Sequence, residues 1–221
     1  MGKSSRNKNN KNNADSVKVS TVKNPDQGRS WFLPVMVAIT VLGAVAIGAL
    51  ALGRESTRGE RPEALTDHWH AAYGINVCGE WQDIILNTAD PEGIHTHSDG
   101  VIHIHPFRTS AAGSNATVDA FFRATGGELN DDGYTPGPGV AGAPVVESDG
   151  CGGEAATWQI AYWDNALLAE GGAEPDTITS TDLADFRFQG DIAAITFALL
   201  PEGEEIPPPP TIGQLSQLTD I

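Results

Sequence analysis

The sequence predicts an α+β fold, a domain with a largely antiparallel sheet and two or three helices behind an N-terminal transmembrane helix. Three observations predict it. An uncharged apolar run, Trp31–Leu52, separates a short basic tail from a long acidic remainder. Beyond that run, segments with the two-residue alternation of strands outnumber those with helical spacing. The segments come as strands, a helix, then more strands, rather than in regular βαβ alternation, which is the pattern of α+β folds.

Residues 1–30 are rich in Asn, Lys and Ser and hold seven of the chain's 13 Lys/Arg but only two of its 29 Asp/Glu, a net of +5. Such a composition cannot bury enough apolar surface to fold, so a disordered tail is expected. Residues 31–52 carry no charge, and a helix of that length crosses the roughly 30 Å of a bilayer's hydrocarbon. The basic flank places the tail in the cytoplasm and everything after residue 52 outside the cell membrane, with Trp31 as an interfacial anchor. The bilayer is thus one expected partner. A cleaved signal peptide is the competing reading, because Ala49-Leu50-Ala51 resembles a cleavage site. The apolar run is longer than the roughly 7–15 residues such a peptide uses.

From residue 53 onward there remain six basic residues, all Arg, and 27 acidic ones, a net of −21. That field repels nucleic acid and anionic lipid, which removes both as partners of the outer domain. The chain has two cysteines, Cys78 and Cys151. In an oxidising compartment they are expected to form a disulfide. The alternative is Cys78 as a thiolate ligand in a copper site of the His₂Cys kind.

Residues 53–61 read as a charged linker, and residues 62–221 as the outer domain. Pro62 suits the first position of a helix running to about Tyr73 and stopped by Gly74, with Leu65, Trp69, Ala72 and Tyr73 on its buried face. Ile75–Trp81 reads as a strand. Gly93–His97 and Val101–Phe107 read as a hairpin around Ser98-Asp99-Gly100. A helix follows over Thr117–Thr125, capped by Ser114 or Asn115 and ended by Gly126-Gly127. Residues 126–154, rich in Gly, Pro and Asp, read as loop with a short strand near residues 144–147. Ala156–Trp163 reads as a strand, and Asp185–Phe188 with Ile192–Leu200 as a second hairpin. Pro207–Pro210 predicts a stiff polyproline segment and residues 211–218 a short closing helix.

All six histidines fall between residues 68 and 105, in three H-x-H pairs: His68/His70, His95/His97 and His103/His105. Imidazole is the commonest protein ligand for zinc and copper. On a strand, residues i and i+2 point to one face. Register therefore decides what the hairpin can do. A two-residue turn would split the histidine pairs between faces. A three-residue Ser98-Asp99-Gly100 loop opposes His95 to His103 and puts His95, His97, His103 and His105 on one face. Ile94, Thr96, Ile102 and Ile104 then share the other. The second register separates apolar from polar side chains and gives Gly100 the left-handed position such loops need. It predicts a zinc or copper site from these four histidines with His70, or less favourably His68, from the preceding helix. Asp67 or Asp99 would orient a ligand from behind.

Two alternatives accompany this reading. One is a metal-free accessory subunit docking on another membrane or envelope protein. The other is a histidine pH sensor. The motifs of zinc proteases, serine hydrolases and nucleotide-binding loops are absent. The glutamate that follows the H-x-H pair in cupins is absent too.

The stretch DHWHAAYG…GIHTHSDGVIHIHPF, residues 67–107, resembles uncharacterised single-pass membrane proteins of actinobacteria, as do the apolar segment and the proline-containing C-terminal end. The resemblance implies membrane anchoring and an outer location, and no particular activity.

Overall fold

The computed structural model describes residues 32–43 and 61–218. The chain divides into two compact units, Met1–Gly53 and Arg54–Ile221. In the first, residues 32–43 form a helix, α1, with exposed apolar side chains. Among the described residues, no helix is long and apolar enough to cross a membrane. The predicted tail, the ends of the predicted span and nearly all of the linker lie outside the described residues.

The second unit contains β1 (Trp69–Val77), β2 (Glu80–Trp81), β3 (Ile94–His95), β4 (Val101–Ile104), α2 (Val118–Thr125), β5 (Glu128–Asn130), β6 (Gly133–Thr135), β7 (Val145–Val146), β8 (Thr157–Trp163), α3 (Ala166–Glu170), β9 (Thr177–Thr179), β10 (Ala193–Leu200) and α4 (Ile212–Leu215). It is α+β, as expected. The main sheet runs β3-β4-β1-β10-β8-β9, with β2 also pairing β1. Every pairing in it is antiparallel except β1 with β10, where Ala71 lies opposite Ala193 and Val77 opposite Leu199.

Alternation along β1 explains the layering. Trp69, Ala71, Tyr73 and Ile75 join one buried cluster with Ile102, Ile160, Phe197 and the α2 residues Val118, Phe121 and Phe122. Ala72 joins a second cluster on the opposite face, with Val101, Trp163, Ala194 and Ile212 and Leu215 of α4. Helices therefore cover both faces of the sheet centre, and each fully buried Phe or Leu contributes about 1.5–3 kcal/mol of transfer free energy. Thr211 fastens the C-terminal segment: its hydroxyl donates to the Tyr73 carbonyl at 2.7 Å. A Cβ on Gly100 would lie 2.3 Å from the Thr211 methyl, and φ there is +81°.

Several expectations are corrected. The helix expected over residues 62–73 is instead a turn at residues 64–66 followed by β1. Leu65 has φ +65° and is 83 % exposed, so it neither continues a helix nor packs in a core. Gly74 is a strand residue, not a stop; a Cβ there would meet the Trp81 ring at 2.6 Å. The single strand expected at residues 75–81 is the β1–β2 hairpin, turned by Cys78 at φ +54° and Gly79 at φ +86°. The cap of α2 is Thr117, whose side chain accepts from the Ala120 N–H, rather than Ser114 or Asn115. Residues 126–154 hold a separate three-stranded sheet, β5-β6-β7. Asp185–Phe188 forms no strand; Arg187 makes an isolated bridge to Thr117, and β10 takes β1 and β8 as neighbours instead.

Cys78 and Cys151 are joined in a disulfide with Cα atoms 5.3 Å apart. The thiolate-ligand alternative is therefore set aside.

Candidate metal centre

The β3–β4 hairpin has the predicted register, with His95 opposite His103 and Ile94 opposite Ile104. Ladder pairing is confined to those two pairs, so the connection is longer than the expected three residues; Ser98 and Gly100 turn it with φ of +64° and +81°. Ile94, Thr96, Ile102 and Ile104 are buried on the face that meets α2. The imidazoles of His95 and His103 occupy the other face.

β1 completes the arrangement. It runs antiparallel to β4, with His70 opposite His103. The pair His68/His70 was expected on a helix, where only one ring could reach the site. On an extended chain both face the same way, and their ring centroids are 4.8 Å apart. The six rings close a circuit, His68–His70–His103–His97–His95–His105 and back to His68, each centroid 4.2–5.0 Å from the next. His70, His95 and His103 are buried, His105 is half-buried, and His68 and His97 are exposed.

Three groups of side chains place one ligand atom per residue within 4.8 Å of one another: His68, His70 and His103; Asp90, His95 and His105; and His97, Asp99 and His103. The Nε2 atoms of His95 and His97 are 2.8 Å apart. That is the distance of a hydrogen bond between the two imidazoles. Buried ring nitrogens normally find hydrogen-bond partners. Nδ1 of His103 is buried and has none, and Nδ1 of His95 is buried with only the Asp90 carboxylate near it.

Carboxylates back the imidazoles from three sides. Asp99 Oδ2 is 3.3 Å from His103 Nε2. Asp90 Oδ2 is 3.4 Å from His95 Nδ1 and 3.9 Å from His105 Nε2. Asp191 Oδ1 accepts the His70 backbone N–H at 2.7 Å and lies 3.5 Å from its Nδ1. Of the two carboxylates predicted for this role, Asp99 is in place. Asp67 instead accepts the Glu63 backbone N–H at 2.6 Å. Asp90 and Asp191 were not foreseen. Asp90 had a local signal: it opens the Asp90-Pro91 turn, where its Oδ1 accepts the Gly93 N–H at 2.6 Å. Asp191 had none, because only the β1–β10 pairing brings it to a residue 121 positions earlier.

Burial holds His95 and His103 below the usual histidine value. It pushes His95 down to about 4, against the opposing pull of Asp90 and with help from the neighbouring rings. Burial also lowers His103, although its hydrogen bond to Asp99 works the other way. For Asp99 burial alone would raise the carboxyl, but the Val101 N–H and His103 hold it below its usual value. Asp191 is likewise held low by His70 despite burial. Neutral imidazoles beside ionised carboxylates are the protonation states that bind a divalent metal, since ligands must shed their protons first.

On the outer side a cavity of about 350 Å³ is lined by Leu65, Thr66, Asp67, His68, His105 and Phe107. The cluster therefore opens to solvent through His68 and His105. No family model matches this chain, and no curated protein or solved structure matches it either.

Proposed function

We propose that this chain is a membrane-anchored protein whose acidic domain, outside the cell membrane, binds a transition metal, zinc or copper, through its six histidines. The observation that carries the reading is the buried Nδ1 of His103, which finds no hydrogen-bond partner inside a closed circuit of imidazoles. Leaving such a group buried and unpaired costs about 1–3 kcal/mol, a cost that a metal bond removes. Burial pushes His95 down to about 4, which leaves that imidazole neutral and able to take a metal near pH 7.

The outer location is supported by the disulfide, which persists in oxidising compartments. It is also supported by the charge contrast across residues 31–52, the segment proposed as the single-pass anchor. Protease added to intact cells should then remove the acidic domain and spare the basic tail.

The test is metal content of the full-length chain, purified in detergent without a histidine tag, beside a His95→Ala/His103→Ala variant. Tight binding lost in the variant is the expected result. A wild type that holds no more metal than the variant would overturn the reading and favour a metal-free accessory subunit that docks on another membrane protein.

A further inference from the structure

We propose that the centre holds two metal ions, in adjacent positions that face one solvent cavity; the inference rests on the metal reading above and specifies its nuclearity. The three ligand groups overlap in an informative way. His68, His70 and His103 share no residue with Asp90, His95 and His105, so both groups can be filled at once. The third group, His97, Asp99 and His103, competes with the first for His103. Among the described residues, two of the three groups can therefore be filled at once.

The two positions differ in chemistry. One offers three imidazoles. The other offers two imidazoles and the Asp90 carboxylate, a set that leaves less positive charge on the ion it binds. His97 lies between them, its Nε2 2.8 Å from that of His95 and its ring centroid 4.2 Å from that of His103. Through its group with Asp99 and His103 it can complete the shell of an ion held by His103.

The positions also meet at one surface. His68 belongs to the first and His105 to the second, their ring centroids are 4.9 Å apart, and both line the cavity of about 350 Å³ with Leu65, Asp67 and Phe107. A water, a hydroxide or a small inorganic anion in that cavity reaches both ions. The surrounding field attracts two dications: the domain from residue 53 onward has a net charge of −21.

The experiment titrates the metal-free full-length chain in detergent with Cu²⁺ alone, counting bound copper by elemental analysis and unpaired spins by paramagnetic resonance. Two copper ions per chain are expected. The spin count should rise with the first equivalent and fall below two, or broaden, with the second, because the ions are close enough to couple. His70→Ala/His103→Ala, which removes the residue that the first and third groups share, and Asp90→Ala/His105→Ala should each retain one ion with an ordinary uncoupled signal. One ion per wild-type chain, or two with independent spins, overturns the two-ion centre and leaves the metal reading standing. No bound ion overturns both. The wild-type count does not depend on whether either variant folds.

Discussion

Replacing Gly93 by alanine should destabilise the domain by roughly 2–5 kcal/mol, as the sum of two separable effects. Gly93 has φ +92°, a conformation that costs an L residue about 1–2 kcal/mol. The added Cβ would also lie 2.4 Å from the His105 carbonyl oxygen and 2.8 Å from Pro106 Cα. Both are backbone atoms, so the hairpin itself must move, an overpacking cost of about 1–3 kcal/mol. Gly203 isolates the first effect: its φ is +85°, and a Cβ there meets nothing within 4 Å. The assay is urea denaturation of metal-free protein followed by tryptophan fluorescence, with equal m-values required before midpoints are compared. Gly203→Ala should lose about 1–2 kcal/mol, and Gly93→Ala more. Gly93→Ala should also weaken metal binding, because Gly93 accepts the His105 N–H at 2.8 Å and donates to Asp90. Equal losses in the two variants would refute the reasoning.

Three further outcomes are expected. Cys78→Ser/Cys151→Ser opens a loop spanning 73 positions and should cost about 4 kcal/mol in the urea midpoint; an unchanged midpoint would contradict it. The metal-free protein should lose stability as pH falls from about 6.5 to about 4. His95 titrates near 6.5 when unfolded and near 4 when folded, so the unfolded chain binds the extra proton throughout that window and protonation favours it. The contribution from His95 is at most roughly 3 kcal/mol. It is complete above the window and lost below it, and His95→Gln should flatten the melting temperature between those pH values. An identical slope in the variant would exclude His95 as the cause. Tyr73→Phe leaves the buried Ile85 N–H without the hydroxyl that accepts it at 2.7 Å and should cost about 1–3 kcal/mol; a neutral substitution would mean that water replaces the hydroxyl.

Local constraints were legible in the sequence, and non-local ones were not. The hairpin register followed from alternation over Ile94–His97 and Ile102–His105 together with one glycine at the loop, all within a dozen residues. Helix α2 followed from the spacing of Val118, Phe121 and Phe122 and from Gly126, which takes φ +77° at its end. By contrast, Trp69, Ala72 and Tyr73 suit helical spacing as well as strand alternation. What settles them as strand is the presence of β4 on one side and β10 on the other, which satisfy the backbone of β1 along its length. The same cause hid part of the site. Once β1 is a strand, His68 and His70 both face the other imidazoles, and Asp191 arrives at His70 with β10. The small sheet β5-β6-β7 was hidden for another reason: its strands are two or three residues long and interrupted by the Gly, Pro and Asp residues that ordinarily mark loops.

The parallel pairing of β1 with β10 has a consequence for how the molecule comes into being. Ala71 cannot meet Ala193 until almost the whole domain has been synthesised, so the strand that carries His70 waits, half-partnered, while the rest of the chain emerges. Pairings of such sequence separation slow folding toward the millisecond-to-second range, since the entropy of closing the loop is lost before the contact forms. Assembly of the histidine circuit is thus tied to the last large strand. A chain truncated before residue 191 would carry the four histidines of the β3–β4 hairpin but neither the β10 neighbour nor Asp191. On the metal reading proposed above, the position that uses His70 is the one tied to completion of the fold.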